Sequence, residues 1–397
     1  MAGGAAPAKR RFVSLVWLFC WLLAGSFRAS AQAPESQRGI LSEQGTAAIA
    51  ARRLAHLRHG VNASGWFAQV VGGYTKEHFL SYITARDIAL IKAMGFDHVR
   101  LSINPQPMFR EGKADALASE YLGYLDEAVR SILADGLAVI LDIHPDREFK
   151  SKLARDDGAV EQFADFWRAF AKHYGAFDPN LVFFEILNEP EVEDRYRWAG
   201  MQAKLAATIR AAAFQNTIIA TGARWSADDD LLFVEPLRDA NVIYSFHFYE
   251  PHIFTHQGAN WAVDFWHFEH GLAYPSTPES AEKVASEVPE AAHRLYVIRY
   301  GLERWNYGRI EAEISQVAGW ARVHRVPVIC GEFGVYRKYA DPDSRAAWLA
   351  DVRTALERHA IGWTVWDYSG GFGVTTKTDG TAIPDESALR ALGLKMP

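Results

Sequence analysis

Cysteine is nearly absent from this chain: two in 397 residues, Cys20 and Cys330. Cys20 lies in an apolar stretch near the amino terminus, so only Cys330 remains for the folded body. An internal disulfide is therefore excluded, and a chain of this length can bury enough core without one. Cys330 sits inside an apolar run and reads as a small core residue rather than a nucleophile. Cys and His clusters at metal-ligand spacing are missing as well. The first apolar run leads into Gly60-Val61-Asn62-Ala63-Ser64-Gly65-Trp66, which is not a glycine-rich phosphate loop. The sequence calls for no metal and no cofactor.

One-sided charge is lacking too. Forty-two basic residues face 48 acidic ones, for a formal net charge of −6. With no basic patch, nucleic acid is not an expected partner. Long apolar runs are confined to the amino terminus. There Lys9-Arg10-Arg11 precede an apolar stretch from Phe12 to Phe27, and Ala29-Ser30-Ala31 offers small residues for cleavage. That layout predicts a secretory signal peptide over residues 1–31 and export to the periplasm or beyond. An uncleaved membrane anchor is the alternative, but the stretch falls short of the roughly 20 residues a span needs. The segment carries four basic residues and no acidic one, so the mature charge falls to −10. No stable membrane insertion is expected after cleavage, and a monomer is the default.

What is present is alternation. Apolar runs of strand length end near Val61, Ile103, Ile143, Leu187, Ala220, Phe246, Cys330 and Trp366. Segments with apolar residues at spacings of three and four lie between them: 85–94, 121–133, 160–174, 195–214, 310–323 and 344–359. Eight strands alternating with helices imply parallel pairing with crossovers of one hand. The economical architecture is an α/β fold, a (β/α)₈ TIM barrel, forming a single domain over 32–397. No linker or internal repeat divides it. One connection is oversized, residues 248–309 between the sixth and seventh strands, and loops of that length are usually functional. It carries Trp261, Trp266, His267, Phe268, Tyr274, Trp305 and Tyr307. Most should pack the insertion down, leaving one or two to touch a flat ligand.

In a parallel barrel the working residues stand at the carboxyl ends of the strands. Here those ends read Arg100, then His144, Asn188-Glu189-Pro190, His247-Phe248-Tyr249, Gly331-Glu332-Phe333-Gly334 and Trp366-Asp367. A carboxylate closing an apolar strand is costly without a task or a partner. Two of them, Glu189 and Glu332, from distant strands, are the equipment of glycoside hydrolysis.

The ordered set Arg100, His144, Asn188, Glu189, His247, Tyr249, Glu332 and Trp366 resembles the site of glycoside hydrolase family 5, the large cellulase family of retaining barrel glycosidases. The resemblance covers roughly residues 45–385. It implies Glu332 as nucleophile and Glu189 as acid, then base, in a double displacement. Glu332 must be ionised, with Arg100 and Tyr249 nearby to keep it so. Glu189 should have its pKa raised, with His247 tuning it. Asn188 and His144 are expected on sugar hydroxyls, and Trp366 beneath a sugar ring. The substrate this implies is a β-1,4-glucan, with β-mannan, xyloglucan or β-1,3-glucan as alternatives. A barrel that binds glycan without cutting it is a second reading, but it predicts a lost catalytic position. A metal-dependent hydrolase is a third; it would need His pairs with nearby acids at strand ends, company that His144 and His247 are expected to lack.

Several neighbours have plainer expectations. Glu185 should be the buried partner of a barrel arginine, and Asp142 should make structural hydrogen bonds. Asp146 is placed to reach a substrate hydroxyl. Gly65-Trp66-Phe67 either lines a subsite or plugs the barrel. Asn62-Ala63-Ser64 matches a glycosylation sequon but stands inside the cleft, where no glycan is expected.

Overall fold

The computed structural model describes residues 48–397 apart from 111–112, 262–265 and 268. The expected signal peptide, 1–31, lies outside the described residues, as does Phe268. Eight parallel strands close a barrel: β1 (His59–Phe67), β2 (His98–Ile103), β3 (Ala138–Ile143), β4 (Val182–Glu185), β5 (Thr217–Thr221), β6 (Val242–Phe248), β7 (Val328–Phe333) and β8 (Gly362–Val365). Each strand pairs with its neighbours in sequence, and β8 returns to β1 through His59↔Trp363. The strand order is the expected one.

The covering helices follow the apolar spacing. In Asp157–Tyr174 the buried positions include Val160, Phe163, Trp167, Phe170, Ala171 and Tyr174, a stripe three and four residues apart. Asp156 caps this helix by accepting from the Gly158 amide at 2.8 Å. Inside the barrel the floor is dry. Ala138, Ile140, Phe183, Ile219, Ile243 and Ile329 point inward, and Ala50 and Leu57 plug the amino-terminal end. His98, bonded to Thr364 Oγ1 at 2.8 Å, and Thr217, bonded to Arg53 and Asn241, are satisfied polar members of the same layer. The acids that hold Arg100 stand one layer higher, at the mouth.

Two features differ from the sequence expectation, and one choice it left open is resolved. Residues 248–309 are not a bare loop: they hold the helices Pro278–Glu287 and Ala291–Glu303 and the short His252–Thr255. Tyr274 and Trp305 are buried among them, and Trp261 remains half exposed. Two small antiparallel hairpins, Phe109–Arg110 with Lys113–Leu117 and Thr375–Thr378 with Thr381–Pro384, were not anticipated. Trp66 is packed down, its Nε1–H donating to the Phe79 carbonyl at 3.0 Å while Phe67 stacks on Phe79. For Gly65-Trp66-Phe67, packing prevails over ligand contact. No helix among the described residues is long and apolar enough to cross a membrane.

Candidate active site

Strand ends aim the site, but two local distortions finish it. Along β7 simple alternation would put Glu332 out of step with Ile329. Against β6, however, Ser245 faces Ile329 and Phe246 faces Cys330, whereas His247 faces Glu332. Gly331 is the extra residue of a bulge, which turns the Glu332 carboxylate back into the barrel mouth. A Cβ at this position would stand 2.5 Å from Ser245 Oγ, so any larger residue would force that side chain to move. At the end of β4, Glu189 adopts φ 43°, a left-handed conformation unusual for a side-chain-bearing residue.

Arg100 is the hub. Fully buried, it donates through Nε and Nη2 to both Glu185 oxygens at 2.8 Å. It also donates through Nη1 to Glu332 Oε1 at 2.7 Å and Asn62 Oδ1 at 2.8 Å, and through Nη2 to Asn188 Oδ1 at 2.9 Å. Asp142 lies 3.2 Å from the same guanidinium. Burial alone would lower the arginine's pKa, but Asp142, Glu185 and Glu332 outweigh it and drive it well above the ordinary value. Burial lifts the Asp142 carboxyl to about 6 against the pull of Arg100.

The remaining expected residues join this net. Tyr249 donates to Glu332 Oε2 at 2.9 Å, so both oxygens of Glu332 accept a strong donor. His144 Nδ1 meets Asp142 Oδ2 at 2.9 Å, and Asn188 Nδ2 donates to His144 Nε2 at 3.1 Å. That pattern assigns the proton to Nδ1, and burial drives the His144 pKa down to about 3, so the ring is neutral. Trp366, partly exposed, stacks on His144 with ring centres 5.7 Å apart. All eight expected residues thus stand in one connected cluster.

His247 and Glu189 depart from expectation. His247 Nδ1 lies 3.0 Å from Glu189 Oε1 and 3.5 Å from Glu332 Oε2. Burial pushes the Glu189 carboxyl up, but the hydrogen bond and charge of His247 prevail and hold it at about 2. For His247, burial lowers the pKa, and Glu332 and Glu189 together raise it above the usual value. The sequence reading placed the proton on Glu189. The 3.0 Å contact instead draws the carboxyl below and the imidazole above its ordinary value, as two groups sharing a proton do.

Other expectations sort plainly. Glu185 is the arginine partner it was expected to be. Asp146 caps the helix Arg147–Arg155, its Oδ1 accepting from the Phe149 amide at 2.8 Å. Asn62 is fully buried, its Nδ2 donating to the Gly331 carbonyl at 3.1 Å, which leaves no amide for a glycan. The histidines do have acidic company. Glu189, His247 and Glu332 present one donor atom each within 4.8 Å of one another. With Arg100 already 2.7 Å from Glu332, a second cation there would meet strong repulsion.

Sequence reasoning missed several contributors. Lys150 is buried between the ends of β3 and β4, with Nζ 3.7 Å from Glu191. Asp367, buried with its carboxyl lifted to about 6 by that burial, accepts from the Ser64 hydroxyl and the Gly370 amide. Half-exposed Trp225 binds its amide to the Pro190 carbonyl at 2.9 Å, directly beside Glu189. A tryptophan just past a strand end was the one signal that could have flagged it.

Comparison with known proteins agrees with this geometry. Residues 61–371 match the family model for cellulase (glycosyl hydrolase family 5). Endoglucanase C of Acetivibrio thermocellus is 29% identical over 315 residues, 78% of this chain and 90% of that one. Cellodextrinase A of Ruminococcus flavefaciens is 26% identical over 310 residues, 76% of this chain and 82% of that one. Among solved structures, endoglucanase Cel5A of Thermotoga maritima superposes with a TM-score of 0.68 at 26% identity, covering 86% of this chain and 99% of its own. The same enzyme has been solved with mannotriose.

Proposed function

The chain belongs to glycosyl hydrolase family 5, and from that premise we propose that it is an exported, retaining glycosidase that cleaves β-1,4-glucosidic bonds within a polysaccharide. One observation carries the reading. A carboxylate oxygen of Glu189 and one of Glu332 approach within 4.8 Å across the barrel mouth. Retaining pairs stand about 5–5.5 Å apart, whereas inverting pairs leave about 6.5–9.5 Å for a water.

Roles follow from the bonds each group makes. Glu332 accepts from Arg100 and Tyr249 at both oxygens, the pattern of an ionised carboxylate, and serves as nucleophile on the anomeric carbon. Glu189 delivers the proton it shares with His247 to the leaving oxygen. It then takes a proton from water in the second step, returning the pair to its starting state. Asn188, held by Arg100 and His144, offers its amide to the sugar's 2-hydroxyl. Trp366 supplies an aromatic face beneath the ring, and Trp225 another on the leaving-group side.

The endoglucanase relatives support β-1,4-glucan as substrate. β-Mannan is the second reading, favoured by the mannotriose complex of the Thermotoga enzyme. A reducing-sugar assay on soluble β-1,4-glucan, β-mannan, xyloglucan and β-1,3-glucan decides between them, with the fastest release expected from β-1,4-glucan. Silence on every β-glucan would sink the substrate assignment. Glu332→Ala should lose at least a thousandfold in hydrolysis of an activated aryl β-cellobioside, roughly the loss of a nucleophile acting with its partner. Wild-type rates in that variant would sink the mechanism.

A further inference from the structure

Helix Arg147–Arg155 buries two side chains, Lys150 and Leu153, three residues apart, while Arg147, Glu148, Lys152 and Arg155 stay exposed. A lysine therefore fills a position where the helix pattern calls for an apolar residue. Its side chain keeps only 8% of its surface, and an ammonium buried without a partner is costly. Glu191 Oε1, 3.7 Å from Nζ, is too far for a hydrogen bond. It is also the only acid paired with Nζ among the described residues, and Glu191 holds a closer cation, Arg147 Nε, at 3.2 Å. The surroundings say what Nζ faces. Its charge acts on Glu189, Asp142 and His144, which places it in the mouth. Glu191 lies two residues past Glu189 and bridges to Arg224, and Trp225, the next residue, binds the Pro190 carbonyl. Lys150 thus stands against the wall that carries Glu189 and Trp225, on the leaving-group side.

We propose that Lys150 binds the leaving-group sugar, its ammonium donating to a ring hydroxyl, and so selects a saccharide over a leaving group without hydroxyls. This role rests on the reading of the chain as a β-glycosidase with Glu189 as its acid. A hydroxyl supplies the acceptor that the folded chain withholds. Asp142, Glu189 and Glu191 around the ammonium would repel an anionic sugar, so a neutral ring is the ligand that fits. The ammonium is largely stripped of water before substrate arrives. A bond to it therefore discriminates strongly against a partner that lacks an oxygen at that place.

The test compares two leaving groups, glucose from cellotriose and a phenol from an aryl β-cellobioside. Lys150→Met keeps most of the apolar stem and removes the ammonium. Its kcat/KM should fall about thirtyfold on cellotriose, the loss of a hydrogen bond to a charged group, and only about threefold on the aryl glycoside. Its melting midpoint should hold, because an apolar chain replaces a buried charge without a close partner. Equal losses on the two substrates would overturn the proposal and leave Lys150 an electrostatic neighbour of Glu189. Were the variant not to fold, the wild type decides. Cellotriose deoxygenated singly at each hydroxyl of its leaving ring should lose about tenfold at one position, and full rates at every position would overturn the role. A wild type that cuts neither substrate removes the β-glycosidase reading and this role with it. A wild type that cuts both, with equal losses in Lys150→Met, removes only the role of Lys150.

Discussion

The barrel mouth and the β6–β7 insertion bury carboxyl groups in opposite ways. In the mouth, Glu185, Glu332 and Asp142 surround one guanidinium, and every contact to it is 3.2 Å or shorter. In the insertion, Glu269 is fully buried, and neither oxygen meets a hydrogen-bond donor among the described residues. Burial accordingly lifts its carboxyl to about 8. A buried acid can remain charged if a cation is built in beside it, or survive by holding its proton. Chemistry at an anomeric carbon needs the first solution. The insertion, whose helices pack against one another, tolerates the second.

The largest effect expected from this contrast is at Arg100. Arg100→Met keeps volume but leaves three acids without their cation, and it should destabilise the fold by about 3–5 kcal/mol, as broken buried pairs do. A urea titration at pH 7 measures it. The loss should shrink as pH falls, because Asp142, already lifted to about 6, and its neighbours can take up protons once the guanidinium is gone. A loss below about 1 kcal/mol would mean that the mouth does not depend on its arginine.

Glu269 should show an effect of opposite pH sense. Its folded-state pKa of about 8 lies above the unfolded value near 4.3. The native state therefore holds more protons between those limits, and wild-type stability must fall as pH rises through that window. Glu269→Gln mimics the protonated side chain and removes this dependence. It should match wild type at pH 4 and exceed it at pH 9, the full linkage of that shift being about 5 kcal/mol before the buried site relaxes. Thermal melts at the two pH values measure the difference. Equal melts at pH 9 would mean that Glu269 ionises without penalty and that the contrast is only apparent.

The two regions also differ in how much the sequence disclosed. The mouth was legible because barrel topology fixes where strand ends go, and the resemblance to family 5 picked eight residues out of the polar ones on six of those ends. Glu185 could be paired with an arginine because it continues an inward apolar row. Alternation does not reveal a bulge, however, and Gly331 alone converts Glu332 from out of step to facing His247. Nor does residue type assign a proton: the acid role implied a raised pKa for Glu189, but a histidine 3.0 Å away lowers it despite burial. The insertion was legible only as a length. Its helices, including Ala291–Glu303, carry exposed Leu295, Ile298 and Leu302, so their polarity pattern is blurred. Its aromatics look alike in sequence whether they face inward or outward.

Those aromatics supply the smallest expected effect. Trp305 and Tyr274 are buried structural residues, whereas Trp261 keeps half its surface and stands edge-on to Tyr336, 4.8 Å between ring centres, and to Phe372. Phe372 in turn meets Tyr249, the phenol that bonds Glu332. An exposed indole at the rim of an aromatic row leading to Tyr249 can contact a longer substrate away from the proposed cleavage point. Contacts of that kind are the same in the ground and transition states, so they act on KM and leave kcat alone. Trp261→Ala should therefore raise KM on a soluble β-glucan by about threefold, within the roughly 0.5–1.5 kcal/mol of one aromatic contact. The melting midpoint should hold, because a half-exposed ring contributes little burial. A KM effect that disappears on a short aryl glycoside would place Trp261 on the polymer's path. An unchanged KM on both substrates would leave the insertion a purely structural region and make its contrast with the mouth complete.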